Sequence, residues 1–147
     1  MSPTRKHQPR VPLLVSLLFG VIGTSYGCGG GTEARTDPLL HAVMQAEDAR
    51  GHGPAGLETL LEGIRSTDPH IQQVAVRGLG RLEDPSQIEM ISTLLSSATK
   101  KVRAEAANAL GQSVFNGPGD EVGAILRAHL PGESDPEVQG AIGRTLG

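Results

Sequence analysis

The sequence predicts an all-α protein: an α-solenoid of stacked antiparallel helix pairs, about three to three and a half repeats long, behind a signal peptide. The stretches "IQQVAVRGLG" at 71–80, "VRAEAANALG" at 102–111 and "VQGAIGRTLG" at 138–147 are three versions of one pattern. Each opens on Ile71, Val102 or Val138, reaches Leu79, Leu110 or Leu146 two turns on, and closes on Gly80, Gly111 or Gly147. Val74 and Ala75, Ala106 and Ala109, and Ala141 and Ile142 fill the positions between, completing the buried stripe of an amphipathic helix. The copies recur after 31 and then 36 residues. Periods of that size belong to stacks of supersecondary units that share one elongated core. The third observation is the scarcity of rings: no Trp, one Tyr and two Phe, with Phe115 alone after residue 27. A core of Leu, Ile, Val and Ala suits thin helical layers better than a β-sandwich.

In chain order, residues 1–27 read as an address. "MSPTRKHQPR" is basic, "VPLLVSLLFGVIG" is a short apolar run, and "TSYGCGGG" is small and flexible. These are the three parts of a secretory signal. A permanent membrane helix needs about 18–20 apolar residues, and this run contains Pro12 and Gly20 and stops short. Residues 28–36 follow as a flexible Gly-rich tether.

The solenoid is assigned to 37–147. "DPLLHAVMQAEDAR" supplies a first helix capped by Asp37-Pro38, and "GLETLLEGIRS" a second with the stripe Leu57, Leu60, Leu61 and Ile64. Asp68-Pro69 starts the first copy and Asp135-Pro136 the third, since Asp accepts from the open amides of the first turn and Pro is tolerated at the first helical position. Thr99 is the best cap for the middle copy. Between the copies, "DPSQIEMISTLLSS" offers Ile88, Ile91, Leu94 and Leu95, with Gln87 spaced for a capping box, and "GDEVGAILRAHL" offers Val122, Ile125, Leu126 and Leu130. "FNGPGD" is the insertion that lengthens the second interval. The glycines closing each copy suit left-handed C-terminal caps. The last copy has no second helix after it. Either it closes the stack, or the chain is truncated there, or a partner completes it.

Two resemblances sharpen this reading. "SYGC" after an apolar run resembles the bacterial lipobox, which implies lipidation of Cys28, with Gly27 matching the small residue before it and Ser25 standing where that family usually has Leu. Ser25 and Gly27 also suit ordinary signal peptidase, so a soluble periplasmic or secreted product is the alternative. "DPHIQQVAVRGLGRLEDPSQIEMISTLL" resembles HEAT repeats of the short bacterial type, a likeness that runs over about 37–147. That family often has Arg after the opening Val; Arg103 matches, whereas Gln72 and Gln139 do not. A tetratricopeptide array would want aromatic residues at fixed places, which are missing. Together the resemblances imply an exported scaffold, lipid-anchored at the outer membrane or periplasmic face, that mediates protein–protein interaction. One HEAT-like branch includes phycobilin lyase-related proteins, so the alternative is an enzyme with its site in the inter-helix loops.

The residues offer little chemistry. There is no GxSxG, CxxC or HExxH, and a single cysteine allows no internal disulfide. His41 and His52 are too loosely spaced for a helical metal pair, and "ARGHGPAGLE" around His52 reads as an inter-helix loop. Glu47-Asp48, Glu83-Asp84 and Asp120-Glu121 lie at helix ends, where carboxylates cap and solvate. The expectation is no catalytic, cofactor or metal site. Arg5, Lys6 and Arg10 fall in the leader, leaving ten cations against all sixteen acids in the remainder, a poor surface for nucleic acid. Lys100, Lys101 and Arg103 form the single basic cluster, a candidate docking patch for a protein partner.

Overall fold

A computed structural model describes residues 37–147 apart from 52–53 and 116–118. The leader, Cys28, the tether and His52 lie outside the described residues. Residues Arg35–Gly147 form one compact unit. Its seven helices are α1 (Pro38–Asp48), α2 (Pro54–Ile64), α3 (Pro69–Gly80), α4 (Ile88–Thr93), α5 (Lys100–Ser113), α6 (Gly119–His129) and α7 (Pro136–Leu146). Single 3-10 turns at Pro85–Gln87, Leu94–Ser96 and Leu130–Gly132 complete the paired helices, and the described residues contain no strand. No helix among them is long and apolar enough to cross a membrane.

The odd-numbered helices pack side by side in chain order, α1 on α3, α3 on α5, α5 on α7. On one side of this row, α2 bridges α1 and α3, α4 rests on α5, and α6 rests on α5 and α7. Four helices in the row and three behind it make three and a half pairs, the expected solenoid.

N-terminal signals set the repeat. Asp37, Asp68 and Asp135 each accept from the backbone N–H two residues on, at 2.8, 2.8 and 2.9 Å, and Asp84 does the same for Ser86 at 2.9 Å. Each cap is followed by Pro at the first helical position, where its missing N–H costs nothing. Asp37, Asp68 and Thr99 stand 31 residues apart, so α1 is a fourth copy of the repeating helix. Thr99 occupies the cap position of α5 with extended backbone, yet its side chain makes no cap bond. Gln87 reaches Asp84 Oδ2 at 3.4 Å rather than closing a capping box, because the chain begins there with a 3-10 turn.

The position after each opening aliphatic residue has one job despite its changing identity. Gln72 donates to the Ile64 carbonyl at 3.2 Å, Arg103 to the Ser97 carbonyl at 2.9 Å, and Gln139 to the Glu133 carbonyl at 2.7 Å. All three acceptors lie at the end of the preceding helix or just past it, where carbonyls lack intrahelical partners. A neutral amide does this as well as a guanidinium, and the polar ladder survives the two Arg-to-Gln departures.

The core is aliphatic throughout, and the predicted stripes underestimate it. Besides Ile71, Val74, Ala75 and Leu79, α3 buries Val76; besides Val102, Ala106, Ala109 and Leu110, α5 buries Ala104 and Ala107. These helices have row neighbours on both sides as well as helices behind, so a single stripe cannot meet all the contacts. The terminal stripe is also covered: Val138, Ala141 and Ile142 of α7 are fully buried, and its outward residues Glu137, Gln139 and Arg144 are polar.

The closing glycines correct the expectation of left-handed caps. Gly80 and Gly111 are helical, and only Gly147 has a positive φ, of 95°. The left-handed residues after α1 and α3 are Arg50, Gly51 and Glu83. Gly80 is needed for closeness: a Cβ there would stand 2.7 Å from Ala109 Cα and 2.8 Å from its Cβ. At Gly111 a Cβ would meet Thr145 Cγ2 at 2.7 Å. Gly80→Ala must push α5 backbone away and is expected to lower stability by about 1–3 kcal/mol. Gly143→Ala, with nothing within 4 Å of its Cβ, is expected to raise it by about 0.5–1 kcal/mol by restricting the unfolded chain. Thermal melts followed by circular dichroism check both.

Candidate interaction surface

Two charged clamps tie repeats together. The Glu47 carboxylate of α1, with its side chain 6% exposed, accepts from Arg77 Nη2 of α3 at 2.8 Å and from Arg81 Nη1 at 3.0 Å, and Arg77 Nε closes a second bond. Glu133, just before α7, is 4% exposed and accepts from Arg103 Nε at 2.7 Å and Nη2 at 3.1 Å. The Asp135 backbone N–H adds a third bond at 2.8 Å. Buried carboxylates require this kind of pairing. The Arg103 bonds, helped by that N–H, hold the Glu133 carboxyl down at about 2, against the opposing push of burial. Arg77 likewise holds Glu47 below the usual carboxylate range. Burial pushes Glu105 of α5 the other way, opposed by the Arg77 charge and the Gln73 amide.

These clamps escaped the sequence reading, although a signal was present. Arg77 follows Glu47, and Glu133 follows Arg103, by 30 residues, close to the repeat period. Unlike charges one period apart face each other across neighbouring layers.

The clamps also fix the state of the basic cluster. Arg103 is engaged with Glu133 and with the Ser97 and Ala98 carbonyls. Lys100 Nζ lies 3.5 Å from both Asp135 and Glu137, and Asp135 is the larger influence raising its pKa. Lys101 is exposed and borders a groove of about 330 Å³ with Asp68, His70, Gln73 and Thr99. The structure thus brings the three cations to one end of α5 but leaves Lys101 as the one without an ion pair among the described residues.

At the other end of α5 lies a groove of about 440 Å³, bordered by Glu83, Asn108, Gln112, Phe115 and Arg144. Phe115 is the one aromatic residue of 37–147 and is 76% exposed. Arg144 of α7 has no ion-pair partner among the described residues, whose ion pairs are made by other cations. Exposed aromatic rings beside Arg are the side chains that dominate protein–protein contacts. The sequence reading passed over Phe115 because its neighbours are loop residues and one ring makes no pattern. The described residues hold no group of His, Cys, Asp and Glu side chains arranged for a metal, and no buried side-chain polar atom lacks a partner.

The family description "HEAT repeats" matches residues 57–147. The chain belongs to the HEAT-repeat family. The match begins inside α2, and α1 precedes it while taking its own place in the row. Neither the curated proteins nor the solved structures gave a match to this HEAT-repeat chain. HEAT repeats are suited to interaction because a row of parallel helices presents one continuous face.

Arg103→Ala would leave Glu133 buried without its counter-ion and is expected to cost roughly 3 kcal/mol, measured by urea unfolding. Glu133 titrates lower when folded than the ordinary 4.5, so its stabilisation is full above that pH and drains away as pH falls toward about 2. Melting temperatures across that window should fall in the native chain and fall less steeply in Glu133→Gln.

Proposed function

We propose that this chain is an exported, lipid-anchored HEAT-repeat scaffold of the bacterial envelope that holds another protein on the open face of its helix row. The observation that carries the reading is Phe115, a large ring left in solvent at a groove of about 440 Å³ that it shares with Arg144, a cation without an ion pair among the described residues. A partner covering the ring would gain apolar burial, while Arg144 and the amides of Asn108 and Gln112 would orient the contact. Of the cluster Lys100, Lys101 and Arg103, Lys101 stands at the opposite end of α5 beside its own groove of about 330 Å³, as a further contact point of the row, and the other two hold the α5–α7 interface. The anchoring part rests on the leader and on Cys28 beside its lipobox-like neighbours. Acyl chains on that thiol would hold the protein at the membrane, and the glycines after it would let the helices stand off.

Two measurements test the two parts. Intact mass after expression in a bacterial host is expected to show cleavage before Cys28 with added acyl chains, partition into detergent, and loss of both in Cys28→Ser. An unmodified mass would refute the anchor. A photo-crosslinking residue placed at 115 in the full chain is expected to give one discrete protein adduct that disappears on Arg144→Glu, whereas the same residue at Asp120 gives none. Equal labelling at both positions would refute the docking face.

A further inference from the structure

Behind the row, α2 and α4 leave a third groove, of about 340 Å³, with Leu61 and Met90 as its apolar floor, Glu89 and Thr93 along its α4 side and Gln87 from the turn before α4. Leu61 and Met90 are both partly buried against the core. Glu89 borders the groove itself; on α2, Glu58 lies one helical turn from Leu61 on the same face and Glu62 on the adjoining one, and all three carboxylates are exposed. Neither α2 nor α4 contains a Lys or Arg. None of the three carboxylates has an ion pair among the described residues, where the clamps use other acids.

We infer that this groove is a second docking site, distinct from the Phe115 face, and that its occupant is a basic amphipathic segment of a partner protein. Apolar side chains of the segment rest on Leu61 and Met90, while its Lys or Arg residues meet Glu58, Glu62 and Glu89. Charge decides among occupants. A second copy docked through the same groove would bring like charges together, and an acidic or phosphorylated segment would be repelled by all three carboxylates. An apolar segment without cations would leave them with no partner, whereas a basic one neutralises them at the rim, where electrostatics governs specificity and the rate of encounter.

The test uses the full chain and a fluorescent amphipathic peptide of leucine and lysine, with a leucine–glutamate peptide of the same spacing as control, read by anisotropy. The lysine peptide is expected to bind and to weaken at high salt, and the glutamate peptide not to bind. Glu89→Lys and Glu58→Lys are expected to weaken binding about two- to fivefold each, the scale of an exposed charge pair, while Asp120→Lys on α6 makes the same change of net charge away from the groove and leaves affinity unchanged. Leu61→Ala with Met90→Ala tests the floor and is expected to weaken binding at low and high salt alike. Equal effects of Glu89→Lys and Asp120→Lys would mean non-specific attraction and overturn the assignment. So would failure of the full chain to bind the lysine peptide. Self-association that Glu89→Lys abolishes would assign the groove to a second copy instead.

Discussion

The closeness of the row helices is the constraint on which the rest depends. Where Gly80 faces Ala109 and Gly111 faces Thr145, there is no room for one more carbon. Backbones brought that near must be lined with small residues, and α5 supplies them: Ala104, Ala106, Ala107 and Ala109 are all buried. Glycine inside a helix costs about 1 kcal/mol relative to alanine, so its presence at 80 and 111 marks a contact rather than an ending. With the row fixed, the remaining helices can only lie behind it. There Leu60, Ile91 and Leu126 fill the second half of the core.

That constraint also explains what could be read from the residues and what could not. Fold class, helix order and the periodic caps were legible because Asp-Pro pairs and aliphatic spacing are local signals. The stripes at Ile71, Val102 and Val138 told which face goes inward. They did not tell that Val76 and Ala107 would be buried as well, since that follows from having neighbours on both sides. At Gly80 and Gly111 a C-terminal cap and a close crossing ask for the same residue and only the facing helix separates them, whereas Gly147 is left-handed as the pattern suggests. Of the surface, the cluster at Lys100–Arg103 was visible as a run of charge. Its partners Glu133, Asp135 and Glu137 were thirty or more residues away, and no local rule connects them. Phe115 was visible only as a count of rings.

The two sides of the molecule differ in chemical character. The row presents mixed charge, much of it already neutralised by clamps, around an aromatic residue. The helices behind present Glu58, Glu62 and Glu89 with no cation on α2 or α4. Surfaces so different do not compete for one ligand. The arrangement suits a body that receives contacts of unlike chemistry on opposite sides.

The placing of the charged clamps has a thermodynamic meaning of its own. One joins α1 to α3 and the other ties α5 to the residues leading into α7, while α3 and α5 meet through Gly80 and Ala109. In a one-dimensional array each unit is stabilised by its neighbours, and a helix with a neighbour on one side alone is the first to fray. Among the described helices of the row, α1 and α7 are those two. The buried clamps therefore join the outer neighbours of the described row, while between α3 and α5 the Arg77 charge and the Gln73 amide reach Glu105 beside a close glycine contact.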